Sequence, residues 1–320
     1  MKSEINTEQR GYTSILILVI MLATLSSAIR DFKQLEKFTS NLREVACSWL
    51  DDGLVTVSAK SVSTVSCFER ISADRDSADQ FHWSGHIASG KAIEIKGLNG
   101  DITAEPAAGP DVEVVANKRA HRSDPNTVRI QVVEHAGGVT ICAVYLRDDG
   151  QSDACEPGDM KPGQSSAKSK VRNNDVSVDF SVRIPANVDL IGRTVNGGIN
   201  AKSLSGNVES HTVNGSIDIS TTGYAQAKTV NGGISARLGN ASWPGELEFM
   251  TINGGINLDL PTTVSTEITA ETLNGEISSD FPLTLLGSFS RKHVEGTIGI
   301  GGRKLILKTL NGSINLRRAN

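Results

Sequence analysis

Four carboxylates, two histidines and four cysteines are the residues whose chemistry has to be weighed first. Asp218, Asp259, Glu276 and Glu295 lie in the second half of the chain, and hydrolysis of a glycosidic bond needs two carboxyl groups facing each other across roughly 5–10 Å. The four sit at different offsets from the Asn-Gly pairs around them, so no pair is singled out and they read as solvated outer charges. His82 and His86 flank Trp83-Ser84-Gly85 at i, i+4; with no third ligand nearby in sequence, that spacing does not make a metal site. Cys142 lies in the strand-like run 138–145, and Cys155 follows 13 residues later in a polar loop. A disulfide between them would be worth about 3 kcal/mol on chain-entropy grounds. The alternatives are free thiols in a reducing compartment and zinc, which the lack of any CxxC or nearby His pair disfavours. Cys47 with Cys67 would form a second bridge. No Ser/His/Asp grouping, phosphate loop or basic-aromatic stripe is present, and Arg317-Arg318 reads as a polar end. The expectation is a protein that is not an enzyme, with no catalytic residues, no cofactor and no metal.

The N-terminus sets the expected compartment. A polar start with Lys2 and Arg10 precedes an apolar run from Ile15 to Leu25, closed by Ser26-Ser27-Ala28, which is the three-part layout of a secretory signal. Extended by its neighbours, the same stretch approaches the length of a spanning helix, about 20 residues. Residues 1–28 are therefore a signal peptide or a retained membrane anchor, and either places the remainder outside the cytoplasm: periplasmic, secreted or anchored in the envelope. Ile29, Phe32, Leu35, Phe38, Leu42, Val45 and Trp49 follow at spacings of 3 and 4, with charges between them. This predicts an amphipathic N-terminal helix, and a Ser-rich linker completes a segment 29–80. Contact with a membrane is expected only through this N-terminal part.

From Phe81 onward the periodicity is β. Runs such as 92–95, 112–115, 128–132 and 176–182 alternate with period 2, and a Gly/Ser/Lys/Asp-rich stretch from Arg147 to Asn174 reads as an exposed loop holding Cys155. Residues 81–191 form a β-rich part with a disulfide loop; residues 192–320 form a repeat. The repeat is an aliphatic residue, Asn-Gly, any residue, then Ile. Full copies centre on Asn99, Asn196, Asn214, Asn231, Asn253, Asn274 and Asn311, with a degenerate copy at Glu295. A half-step copy, Leu204-Ser205-Gly206-Asn207-Val208, falls midway between Asn196 and Asn214.

Repeats of about 20 residues suggest a solenoid, in which each coil buries its apolar face only against its neighbours. The expected fold class is all-β: a parallel β-helix or β-solenoid of Asn-Gly repeats, preceded by β-strands and the N-terminal helix. The residue before each Asn and the Ile three after it would form aliphatic columns inside. Asn196, Asn214, Asn231, Asn253, Asn274 and Asn311 would stack as a structural ladder, interrupted at Glu295. The Gly after each Asn would mark a left-handed or tight corner that a Cβ obstructs. Because Asn-Gly is also a strong hairpin signal, an antiparallel meander is the rival arrangement. Composition agrees with coil stacking, since 320 residues contain only 8 Phe, 3 Trp and 3 Tyr against 31 Gly. The formal net charge of -4 argues against a nucleic-acid partner held by phosphate neutralisation.

Asn-Gly-Gly-Ile-Asn at 196–200 and 253–257, with the opening Phe81-His82-Trp83-Ser84-Gly85 and the run Ile93 to Ile102, resembles the bacterial β-helix proteins labelled "putative adhesins". That domain-of-unknown-function family is related to the head GIN domain of auto-transporter adhesins. The resemblance spans roughly Phe81 to Arg318 and implies a parallel β-helix exported to the cell envelope, with no established catalytic residues to carry over. The expected function is a non-catalytic, adhesin-like binding or structural module that presents a regular polar surface to an envelope or surface ligand, polysaccharide or protein. Two alternatives are a carbohydrate-active enzyme (polysaccharide lyase or hydrolase) on the same fold, and an envelope stress or signalling partner of a membrane protein acting through the N-terminal helix.

Overall fold

The computed structural model describes residues 79–146, 154–158, 174–285 and 290–319. The expected signal or anchor, the amphipathic helix, Cys47, Cys67 and most of the 147–174 loop lie outside them.

The strands, in chain order, are β1 (Gln80–Gly85), β2 (Ala92–Lys96), β3 (Ile102–Pro106), β4 (Val112–Arg119), β5 (Val128–His135), β6 (Gly138–Tyr145) and β7 (Ser177–Ile184). They continue with β8 (Asp189–Arg193), β9 (Ile199–Leu204), β10 (Val208–His211), β11 (Ile217–Thr221), β12 (Ala225–Lys228), β13 (Ile234–Leu238), β14 (Leu247–Met250) and β15 (Ile256–Leu260). The last are β16 (Thr266–Asn274), β17 (Ile277–Ser279), β18 (Leu283–Leu285), β19 (His293–Ile298), β20 (Lys304–Asn311) and β21 (Ile314–Arg318). Two sheets hold them all, in the orders β1-β4-β7-β3-β9-β11-β13-β15-β21-β17 and β18-β19-β16-β20-β14-β12-β10-β8-β2-β6-β5.

The chain winds as a parallel β-solenoid. Each of the seven Asn-Gly coils runs along the second sheet, turns at its Asn-Gly corner and runs along the first sheet, so that equivalent strands pair in parallel: β8 with β10, β10 with β12, β9 with β11, β11 with β13. A meander would pair consecutive strands antiparallel. The half-step copy at Leu204–Val208 is the opposite corner of its coil, which explains its position midway between two Asn-Gly pairs.

The core is a set of aliphatic columns closed between the sheets. Ile102, Ile199, Ile217, Ile234, Ile256 and Ile314, three after the Asn of their corners, are all buried. They face columns from the other sheet that pass from small residues to large ones, such as Gly192, Ser210 and Ala227 followed by Phe249 and Leu307. Side chains from adjacent coils interlock as they would in any close-packed interior, without a layer of rings.

Sequence order and stacking order part company at both ends. Coil β2–β3 lies between coils β6–β7 and β8–β9. Coil β20–β21, last in the chain, lies between β14–β15 and β16–β17. Beyond the coils, antiparallel strands close the stack: β4 on β7, β1 on β4 and β5 on β6 at one end, β19 on β16 and β18 on β19 at the other. This corrects the reading of the degenerate copy. Val294-Glu295-Gly296 is not a corner but the middle of antiparallel strand β19, so Glu295 interrupts no ladder. The short end strands β17 and β18, three residues each, leave little edge for further pairing.

Candidate functional site

The seven Asn-Gly corners stack into one continuous edge. Each Asn Nδ2 donates to the Oδ1 of the Asn in the preceding coil: Asn196 to Asn99 at 2.8 Å, then Asn214, Asn231, Asn253 and Asn311 each at 2.7 Å, and Asn274 to Asn311 at 2.8 Å. The ladder runs without a break and includes Asn99, one coil earlier than the six ladder positions expected. In space Asn311 precedes Asn274. The Asn side chains from Asn196 onward are exposed, and an amide bonded to one neighbour on each side keeps an N–H and a lone pair for a third partner.

A second ladder lies beneath it, from residues that sequence reasoning passed over. Thr194, Thr212, Thr229, Thr251, Thr309 and Thr272 stand two before their Asn and are buried. Each Oγ1 donates to the carbonyl of the corner Gly in the adjacent coil, at 2.8–3.1 Å. The signal was present as a Thr recurring at one offset in six of the seven copies. Those carbonyls also explain the glycines. A Cβ on Gly232 would overlap the carbonyl oxygen of Gly215, and one on Gly215 that of Gly197. Only at Gly100 does the corner Gly have positive φ, 121°. It is coil-on-coil contact, not a left-handed turn, that demands Gly at the other corners.

The aliphatic residue before each Asn is not inside, as the sequence suggested, but outside. With Thr and Ile facing the core, the period of 2 sends this residue outward. Val213, Ile252, Leu310 and Leu273 are 38%, 41%, 42% and 56% exposed, and Leu98, Val195 and Val230 are half-buried. In stacking order these seven form an aliphatic ridge alongside the amide ladder.

Charge is arranged around the ridge rather than on it. One step back, on the outer face of the second sheet, a column of cations is satisfied by neighbouring carboxylates: Lys96 with Glu94 at 3.4 Å, Arg193 with Glu94 at 3.1 Å and Glu209 at 2.6 Å, Lys228 with Glu248 at 2.5 Å, Lys308 with Glu271 at 3.7 Å. The hydrogen bond from His211, with the Arg193 charge and the Gln226 amide, holds the Glu209 carboxyl down to about 2 despite its partial burial. Glu94, almost fully buried, also accepts from Thr140 Oγ1 at 2.8 Å and Gly158 N at 3.0 Å. On the other side of the ladder, two after each Asn, the five middle coils carry only Gly198, Ser216, Gly233, Gly255 and Ser313. Carboxylates occupy that column only in the end coils, as Asp101 and Glu276.

The profile of the Toastrack DUF4097 family matches residues 86–317, which covers all seven corners. The chain belongs to the Toastrack DUF4097 family. Among solved structures, it is similar to "a putative cell adhesion protein" from Clostridium sporogenes ATCC 15579, 10% identical over 75% of this chain and 100% of that one with a TM-score of 0.39. It is also similar to "a putative adhesin" from Bacteroides fragilis NCTC 9343, 12% identical over 76% and 98% with a TM-score of 0.24. No curated protein matches it.

In this Toastrack chain the carboxylates weighed from sequence do not converge. Asp218 pairs with Lys202 at 3.6 Å and Asp259 with Arg237 at 3.0 Å, on different columns of the first sheet. Glu276 is exposed beside Arg291, and Glu295 lies on the other sheet. His82 is exposed on β1, and His86 faces Asp111 at 3.5 Å. Among the described residues, no three His, Cys, Asp or Glu side chains come together. Cys142 and Cys155 are joined, with Cα atoms 5.7 Å apart. Their bond holds the segment 154–158 over β2, where Lys96 Nζ donates to the carbonyls of Glu156 and Gly158 at 2.6 and 2.5 Å. Arg318, read as part of a polar tail, lies over the ring of Phe281 at 5.5 Å.

Proposed function

We propose that this Toastrack protein is an exported, non-catalytic, adhesin-like module of the cell envelope, and that the asparagine corner is the surface it presents to its ligand. The outward position of the residue before each Asn carries this reading. Facing Val, Ile and Leu partly into water forgoes some of the free energy of burying them, and a contiguous aliphatic line beside hydrogen-bonding amides suits an interaction surface. Export is supported by the signal-like N-terminal sequence and is compatible with the Cys142–Cys155 bond, since such bonds persist in oxidising compartments.

The test has two parts. Fractionation of the producing cell with N-terminal sequencing of the recovered protein should find it outside the cytoplasm. In a sedimentation assay, purified protein should bind isolated cell envelopes. The triple variant Val213→Ser, Ile252→Ser, Leu310→Ser should keep its circular-dichroism spectrum and bind at least about tenfold more weakly, the loss expected when a site's central contacts are removed. Equal binding by the triple variant would overturn the assignment of the corner. Turnover of a glycan by the wild-type protein would overturn its non-catalytic character.

A further inference from the structure

Four properties of the corner narrow the chemistry of its partner, given the reading of the corner as the presented surface. The first is charge. The ridge, the amide ladder and the Gly/Ser column of the five middle coils carry no charged side chain, and the cations of the neighbouring column are matched by carboxylates. A polyanion or an anionic membrane would find nothing on this strip to neutralise it. The second is repeat. Coils follow one another at the inter-strand spacing of about 4.8 Å, and each presents the same aliphatic-amide pair. A partner contacting several coils alike must repeat at that interval. An extended polypeptide advances about 3.3 Å per residue and falls out of step at once, whereas one pyranose in an extended polysaccharide advances by close to one coil.

The third property is area. Seven coils make a ridge about 29 Å long at that spacing, so a strip about 10 Å wide offers about 300 Å². A stable protein interface takes about 800 Å² per partner, so a second copy of this chain is a poor occupant and a narrow linear polymer a good one. The fourth is amphipathy. A pyranose ring has an apolar C–H face and an equatorial belt of hydroxyls, matching an aliphatic ridge beside amides that each keep a donor and an acceptor.

We infer that the corner binds an extended, uncharged polysaccharide along its length, one sugar per coil, with ring faces on the aliphatic ridge and hydroxyls on the Asn amides. Gly198, Gly233 and Gly255 keep the side of the ladder open. Gly233 has ordinary backbone geometry, and a Cβ there would stand 3.6 Å from the carbonyl of Gly255, so the position accepts a side chain. The chain itself places Glu276 at the equivalent position of an end coil. Gly233→Glu should therefore fold and put a bulky charge in the middle of the path.

Affinity electrophoresis of the purified full chain tests this, with gels containing soluble β-glucan, mannan, dextran or polygalacturonate, and flotation with phosphatidylcholine/phosphatidylglycerol vesicles alongside. The expected result is retardation by at least one uncharged polymer. Gly233→Glu and the triple ridge variant should weaken it at least about tenfold, while Ile300→Ser, which changes an aliphatic residue that is 97% exposed off the ridge, leaves it unchanged. No retardation by any uncharged polymer, retardation equal in all variants, or binding only to polygalacturonate or vesicles would each overturn the inference. If the ridge variants lose envelope binding while no uncharged polymer retards or competes, the corner stands and its polysaccharide ligand falls. If envelope binding survives in those variants, the corner itself falls.

Discussion

At the scale of single residues, the tightest constraints come from polar groups in a closed core. Ser210 Oγ and Asn200 Oδ1 are buried without a hydrogen-bond partner among the described residues, and Ser210 sits on the core side of β10 between Gly192 and Ala227. A buried hydroxyl with no partner costs about 1–3 kcal/mol, so Ser210→Ala should stabilise the protein by about 1 kcal/mol in urea unfolding. The Thr ladder behaves oppositely. Thr229→Val removes the donor to Gly215 O, 2.9 Å away, and should cost about 1 kcal/mol or more because the carbonyl loses its partner; Thr229→Ser, which keeps the hydroxyl, should recover much of it. Glu209 has a folded pKa of about 2 against an ordinary 4.5. A carboxylate depressed by folding contributes stability that is complete above 4.5 and disappears as pH falls towards 2. Denaturant midpoints measured across that window should decline less steeply in Glu209→Gln than in the wild type.

At the scale of elements, the corner depends on close approach of one coil to the next. Gly232→Ala would press a methyl group into the carbonyl of Gly215 and should destabilise the protein by about 3 kcal/mol or more, read as a lowered urea midpoint or as failure to fold. The Cys142–Cys155 bond spans 13 residues, and its reduction should cost about 3 kcal/mol by loop entropy, with little change in the far-ultraviolet spectrum because, among the described residues, segment 154–158 is what it releases and that segment holds no strand. Much of this scale was legible in the sequence. Asn-Gly-x-Ile gave the corners, the buried Ile column and the ladder, since identical residues in parallel coils must stack. The half-step at Gly206 was visible as a spacing, and the strand pairing identifies it as the opposite corner. The facing of the residue before Asn was not legible while the Thr column went unnoticed, because alternation fixes faces only once a neighbouring residue has been assigned to one of them. Glu295 misled because Val-Glu-Gly-Thr-Ile matches the motif as letters, while its antiparallel pairing with β16 is a long-range property.

At the scale of the whole molecule, eight coils and their antiparallel closures form two continuous sheets with one aliphatic interior. The stacking order could not be read from the spacing of the repeats, since a coil looks the same wherever it is inserted. Removing residues 304–320 would take out the coil between β14–β15 and β16–β17, not a terminal one. Such a truncation should therefore abolish cooperative unfolding, whereas loss of an end coil from a simple stack would only shorten it.

The threading of that last coil also bears on timing. Residues 304–318 are bonded on both sides by strands that come earlier in the chain. Until they dock, β14 and β16 have no path to each other, and both wait with open edges. The molecule is completed like an arch, by a piece set last between members already standing.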